Sequence, residues 1–434
     1  MRPSVGPRAR YGRRRLAALC AVGALVAGVL TACGGGGGSD SGGSTSIVVS
    51  HGYTDVEAKA LQDAVDTWNG QHPDEKVTLQ FNGGNDSALQ KTLAGFTAGN
   101  FPDVAYEYGS SAAQLARQPK LVDLTDKVQD PSVDWEDFYL SGREASTVDG
   151  KVVGIPALID NLSLVYNKKL FAQAGVAPPT DDWTWADFRA AAQRLTDAST
   201  HTYGWAYVND GSEDTVWRFW ALLWQAGGNI LTSDGKKAAF NSPAGVSALT
   251  HLQRMAKDKS IYLDSGNGNY VNLFNSGHIA MLYTGPWDLS SFTNVDYGVQ
   301  ILPGDRNHQT IAGPDNWVLF DNGKDRANAA WTFMKWFLST NEHLNFALAT
   351  GDLPIRASEL KQPKYKAYTQ KYPGIKTFVA NLRNAKKVRP VDARYPRMSE
   401  AVGLAVQAVL LGKADPKKAL DDAAAKVNSI LRRP

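Results

Sequence analysis

Along residues 47–106 two hydrophobic periods alternate, and this narrows the possible folds more than any other feature. Ile47-Val48-Val49 is a short apolar run of the kind a buried strand needs. Behind it Val56, Ala60, Leu61, Ala64, Val65 and Trp68 recur at helical spacing. Val77, Leu79 and Phe81 then alternate at period two, Ser87 to Ala98 reads as a helix, and Asp103 to Tyr106 as a third strand. Strands separated by helix-length segments are joined by crossovers, so this order predicts a parallel sheet flanked by helices. Thr54-Asp55-Val56-Glu57 has the spacing of a capping box at the first helix. The pattern restarts after the turn dipeptide Asp149-Gly150 and the run Val152-Val153-Gly154-Ile155-Pro156. Ser242-Pro243 and Asp415-Pro416 each place a cap residue before a first-turn proline. No fixed period recurs, which argues against a solenoid. The length favours two α/β lobes over one.

The N-terminus indicates where the chain is expected to work. Arg2, Arg8, Arg10, Arg13, Arg14 and Arg15 precede an apolar run from Leu16 to Leu30. Basic residues followed by an apolar stretch form the layout of a secretory signal. The run falls short of the roughly 20 residues that span a bilayer as a helix. It closes on Leu30-Thr31-Ala32-Cys33, which resembles the bacterial lipoprotein signal. That resemblance implies that residues 1–32 are removed and that Cys33 becomes the lipidated first residue. Residues 33–44, Gly/Ser-rich throughout, would serve as a flexible tether. Arg14-Arg15 leaves the choice between the twin-arginine and general export routes open.

Residues 1–32 hold six of the 46 basic residues and none of the 43 acidic ones. The formal charge of +3 therefore becomes −3 for the remainder. No long basic run is left, so a nucleic-acid partner has no electrostatic footprint. The two cysteines are Cys20, inside the apolar run, and Cys33, so an exported domain must be stabilised by its core rather than by disulfides. Hydrolase signatures are missing: there is no Gly-x-Ser-x-Gly, no His-Glu-x-x-His, and the seven histidines are scattered. Paired carboxylates leave an exported glycoside-active enzyme as a minor alternative, and a non-enzyme is expected.

Several short segments, taken in order, resemble one family. They are His72-Pro73-Asp74, Gly99-Asn100-Phe101-Pro102-Asp103-Val104, Leu164-Val165-Tyr166-Asn167-Lys168, and Gly175-Val176-Ala177-Pro178-Pro179 leading to Thr184-Trp185-Ala186-Asp187-Phe188. Phe274 to Met281, Gly285-Pro286-Trp287 and Thr350-Gly351-Asp352-Leu353-Pro354 complete the series. Over nearly all of residues 45–434 the chain resembles the extracellular solute-binding proteins of carbohydrate ABC importers, in the maltose-binding and glycerol-phosphate-binding branch. The resemblance implies an α/β, two-lobed periplasmic-binding-protein-like type II fold with a hinge. Residues 45–156 and 310–351 would form lobe 1, and 157–309 and 352–434 lobe 2. Hinge passages are expected near Pro156–Asn161, Leu302–Thr310 and Gly351–Pro354. It further implies a monomer without a cofactor or metal, on the outer face of the cytoplasmic membrane, handing a di- or oligosaccharide to permease subunits. A polyol or glycerol phosphodiester is the alternative ligand.

A sugar offers apolar C–H faces to aromatic rings and hydroxyls to carboxylates, amides and guanidiniums. On that basis, and by resemblance, the candidate ligand-binding residues are Tyr53, Asn85, Glu107, Asp160, Asn161, Trp205, Tyr207, Trp217, Trp287, Gly313, Asn316, Asp352, Arg394 and Arg397. Trp287 matches the family position that stacks on sugar; a core role is its competing reading. Glu107 sits at a strand tip, where open α/β sheets place ligands. Trp217, Trp220 and Trp224 form a helical stripe of which two should be core, with Trp217 nearest the cleft. Asp352 stands where the family often carries an aromatic, and a carboxylate there prefers hydroxyl donors. A phosphodiester would need Arg394 or Arg397 as its anchor.

Overall fold

The computed structural model describes residues 44–266, 268–372 and 374–433. Cys33 and the rest of the N-terminal segment lie outside the described residues. The chain begins with β1 (Thr45–His51), α1 (Asp55–Gln71), β2 (Glu75–Phe81), α2 (Asn85–Ala98) and β3 (Val104–Tyr108). Two short helices, α3 (Ala112–Leu115) and α4 (Leu140–Ala145), and the hairpin β4 (Thr147–Val148) and β5 (Lys151–Val152) lead to β6 (Ile155–Leu158). Asp149 and Gly150 turn that hairpin with φ of 50° and 78°, the left-handed pair a two-residue turn requires.

The second half contains β7 (Ser163–Asn167), α5 (Lys168–Gln173), α6 (Trp185–Arg194), β8 (Trp205–Val208), α7 (Glu213–Gln225), α8 (Pro243–Lys257), β9 (Ile261–Asp264), α9 (Asn269–Asn275), β10 (Met281–Thr284) and β11 (Tyr297–Gln300). The chain then returns through β12 (Asp315–Leu319), α10 (Lys324–Phe337), α11 (Thr340–Thr350) and α12 (Pro363–Lys371). It ends in α13 (Ile375–Asn381), α14 (Tyr395–Leu410) and α15 (Pro416–Leu431).

Two five-stranded sheets result, in the orders β2-β1-β3-β12-β6 and β11-β7-β10-β8-β9. In the first, β1 pairs in parallel with β2 and β3, as the helical crossovers demand, and β12 inserts antiparallel between β3 and β6. Two large apolar clusters form. Ile47, Val49, Trp68 and Trp317 of the first-sheet side share one with Val165, Ala206 and Leu282 of the second sheet, and Trp205, Trp220, Trp224 and Phe188 belong to the other. Helix α7 is buried on every side from Thr215 to Gln225, because the second sheet, α8 and α14 enclose it.

The caps explain where several helices start. Thr184 and Asp187 form a full capping box at α6, Ser242 caps α8 ahead of Pro243, and Asp415 accepts from Lys417 N and Lys418 N at α15. Thr54 occupies the cap position of α1 with extended backbone, but its side chain makes no cap bond, so the predicted capping box there does not form.

The passages between the sheets run side by side. Asn161 bridges Ala312, Ile159 bridges Leu353, and Gly313 N donates to Asp160 O at 3.1 Å. The segment after Gly351, expected to belong with lobe 2, stays with the first sheet. Tyr139 N donates to Ile355 O, Arg356 donates to Leu338 O and Val133 O, and α12 packs on α11. The chain reaches the second sheet only at α13, which packs on β7 and β11.

Candidate functional site

The carboxyl end of β3, the tip of β12 and the first turns of α1 and α7 converge on a cleft of about 220 Å³. Tyr106 and Tyr108 reach it from β3 and Asp315 from β12, and Glu57 comes from the first turn of α1. Asp160 and Gly313 arrive on the crossing segments, and Asp352 follows α11. The opposite wall is built from Asp214, Trp217 and Arg218 of α7, with Tyr270, Trp287 and Arg389.

Local structure fixes these groups. Trp287 lies in the 3-10 turn Pro286–Ser291, and its indole folds back over Gly285, where a Cβ would collide with the ring at 1.8 Å. The Trp217 and Trp287 rings are 5.8 Å apart and tilted by 40°. Gly313 allows Asp160 and Trp217 to close over it: a Cβ there would lie 2.4 Å from Asp160 Oδ1 and 3.2 Å from Trp217 Cζ2. Gly351 ends α11 with φ of 98°, and Pro286 O would lie 2.8 Å from a Cβ there.

The electrostatics divide between the walls. On the second-sheet side Arg389 Nη1 donates to Glu213 Oε1 at 3.0 Å, and Glu213 also accepts from Tyr395 and Ser399. Arg218 donates through Nε to Tyr283 O at 3.1 Å and through Nη1 to the Asp214 carboxylate. Opposite them sit Asp160, Asp315 and Asp352. Asp315 accepts from the Tyr106 hydroxyl through Oδ2, while its Oδ1, Asp160 Oδ1 and both Asp352 carboxylate oxygens have no hydrogen-bond partner. Burial raises all three carboxyls: Asp160 well above 3.8, Asp315 to about 7 and Asp352 to about 6. The Trp217 indole N–H is likewise buried and unpartnered.

Of the residues singled out from sequence, Asp160, Trp217, Trp287, Gly313 and Asp352 line this cleft. The others are placed elsewhere. Trp205 and Tyr207 are core residues of the second sheet: Trp205 packs edge-on to Phe188, and Tyr207 donates to Thr215 O at 2.6 Å. Glu107 and Asn316 face each other in register on the far side of the first sheet. Strand alternation sends their neighbours Tyr106, Tyr108 and Asp315 to the cleft instead. Asn316 donates to Ala145 O at 3.0 Å and accepts from Ser146. Tyr53 backs the cleft, its ring 4.2 Å from that of Tyr106. Asn161 donates to Phe378 O at 2.8 Å, tying a crossing segment to α13. Arg394 is held by Asp392 and Leu431 O, and Arg397 lines a neighbouring chamber. The side chain of Asn85 lies outside the described residues. The sequence reading missed Asp315, Glu213, Arg218 and Arg389. Glu213 and Asp214 were legible as an acidic first turn behind the cap residue Ser212, but Arg389 sits in a loop with no periodic signal.

The profile of bacterial extracellular solute-binding proteins matches residues 54–342. The chain belongs to this family. A cyclic α-maltosyl-1,6-maltose binding protein from Arthrobacter globiformis is 28% identical to this solute-binding protein. It superposes with a TM-score of 0.75, covering 90% of this chain and 100% of that one. An ABC substrate-binding protein from Listeria monocytogenes, solved in complex with cycloalternan, is 28% identical with a TM-score of 0.80, covering 89% and 98%. The sn-glycerol-3-phosphate-binding periplasmic protein of Escherichia coli K12 is 22% identical over 410 residues, which is 90% of this chain and 93% of that relative. The two-lobed α/β fold of this solute-binding protein is the one these structures share. Among the described residues no helix is long and apolar enough to cross a membrane.

Proposed function

We propose that this protein captures a carbohydrate in the cleft and delivers it to the permease of an ABC importer, from a lipid anchor at Cys33. The observation that carries the reading is the pairing of two surfaces. Trp217 and Trp287 present aromatic area suited to C–H faces, while Asp160, Asp315 and Asp352 present unpartnered acceptors suited to hydroxyl donors. Because these groups come from both sides, a ligand touching both stabilises an arrangement that brings the lobes together.

A second chamber of about 240 Å³ continues past Tyr108 and Glu213, which line both spaces, toward Gln90, Arg397 and Glu400. That continuity favours a di- or oligosaccharide over a single ring. The relatives named for cyclic oligosaccharides support the same class, and the relative described as an ABC substrate-binding protein supports the importer. A glycerol phosphodiester fits less well. Arg394 is already engaged, and the cleft places more carboxylates than guanidiniums against a phosphate. The experiment is a thermal-shift and calorimetric screen over mono-, di- and oligosaccharides. Saturable binding with the sugar recovered unchanged is expected. Sugar turnover, or binding of a glycerol phosphodiester such as glycerophosphocholine and of no sugar, would overturn the reading.

A further inference from the structure

Six carboxylates line the cleft (Glu57, Asp160, Glu213, Asp214, Asp315 and Asp352) against two guanidiniums, Arg218 and Arg389. Both guanidiniums are hydrogen-bonded to carboxylates of their own wall, at Asp214 and Glu213. Arg389 also acts through space on Asp160 and Asp315, but no hydrogen bond joins it to either. Asp315 and Asp352 are only 4% and 1% exposed, and each keeps at least one oxygen without a partner. Burial raises the proton affinity of all three, and repulsion adds to it at Asp160, from Asp315 and Asp352, and at Asp315, from Asp352. Among the described residues no three ligating side chains converge closely enough to hold a metal ion.

We propose that the ligand of this cleft is a carbohydrate bearing a protonated amine, seated against Asp160, Asp315 and Asp352. An ammonium brings three donors and one positive charge to a site rich in unpartnered acceptors, whereas a neutral polyol brings donors alone. The aromatic wall suits the same ligand, since Trp and Tyr faces attract cations as well as C–H surface. An anionic sugar would meet the same carboxylates as repulsion. This inference rests on the carbohydrate reading above and narrows it.

The test is titration calorimetry of the full protein at neutral pH with matched pairs. These are glucosamine, galactosamine and mannosamine against glucose, galactose and mannose, and the β-1,4 glucosamine dimer against cellobiose. At least one amine-bearing sugar is expected to bind about tenfold or more tightly than its neutral partner. Asp352→Asn should cut that ratio to about threefold or less. Asp160→Asn is a second variant, and melting curves establish that each variant folds. Neutral sugars binding as tightly as their amine partners in every pair, or an unchanged ratio in both folded variants, overturns this inference and leaves carbohydrate capture standing. A neutral oligosaccharide of the wider screen binding while no amine-bearing sugar binds overturns this inference alone, and binding by no sugar in either set overturns both.

Discussion

Asp352→Asn separates the demands of binding from those of folding. Burial pushes this carboxyl from its ordinary 3.8 up to about 6. The titratable groups around it are Asp160, Asp315, His343, Tyr53 and Tyr368. A raised carboxyl pKa means that the folded chain holds the proton more tightly than the unfolded chain. The contribution of this group to stability is therefore highest at low pH and falls as pH rises from about 4 to about 6, then levels off. At 1.36 kcal/mol per pH unit, the gap between 3.8 and about 6 costs the ligand-free protein about 3 kcal/mol above pH 6. The amide cannot ionise and removes that cost, less what its own unpartnered donors lose, leaving a net gain of about 1–2 kcal/mol. Calorimetric melting of both ligand-free proteins at pH 5 and pH 8 is the assay. The variant should melt higher than the wild type at pH 8, by a margin that narrows at pH 5, while its sugar affinity falls. A variant that is less stable at pH 8, or a margin independent of pH, would show that Asp352 is not a strained anion in the native state.

Three further outcomes are expected. Trp287→Ala should weaken sugar binding by about 2 kcal/mol, roughly thirtyfold, from lost stacking and buried ring area. The half-buried site should leave the ligand-free melting temperature little changed, whereas Trp205→Ala should cost about 3–5 kcal/mol of stability in a denaturant titration. Gly313→Leu places a side chain where Asp160 and Trp217 close, so titration calorimetry should show sugar binding lost in a protein with unchanged circular dichroism. Cys33→Ser should abolish fatty-acid labelling and release the protein from the membrane fraction.

The alternation of strand and helix was legible because β1 buries Ile47 and Val49 at period two and α1 buries Leu61, Val65 and Trp68 on one face. The site was harder to read, because a one-residue phase decides which face of a strand meets the ligand. At β3 the sequence points to Glu107 and the structure presents Tyr106 and Tyr108. At β12 it points to Asn316 and the structure presents Asp315. Trp205 and Tyr207 lie on a strand whose four residues are all buried, so aromatic identity alone could not tell core from cleft. The α7 stripe was easier: periodicity assigned two of its tryptophans to the core, and Trp217, nearest the helix start, reaches the cleft. Placing Asp352 in the cleft required only the reading of an unusual carboxylate after Gly351. Arg389 required the tertiary structure, since only the fold brings its loop to Glu213.

Small-angle scattering during a sugar titration tests the central claim most directly, because ligand capture between the two sheets must draw the lobes together. With the tightest-binding sugar at saturation the radius of gyration should fall, and at the same sugar concentration Trp287→Ala should respond less in proportion to its weaker affinity. A saturating sugar that leaves the scattering curve unchanged would contradict capture between the lobes.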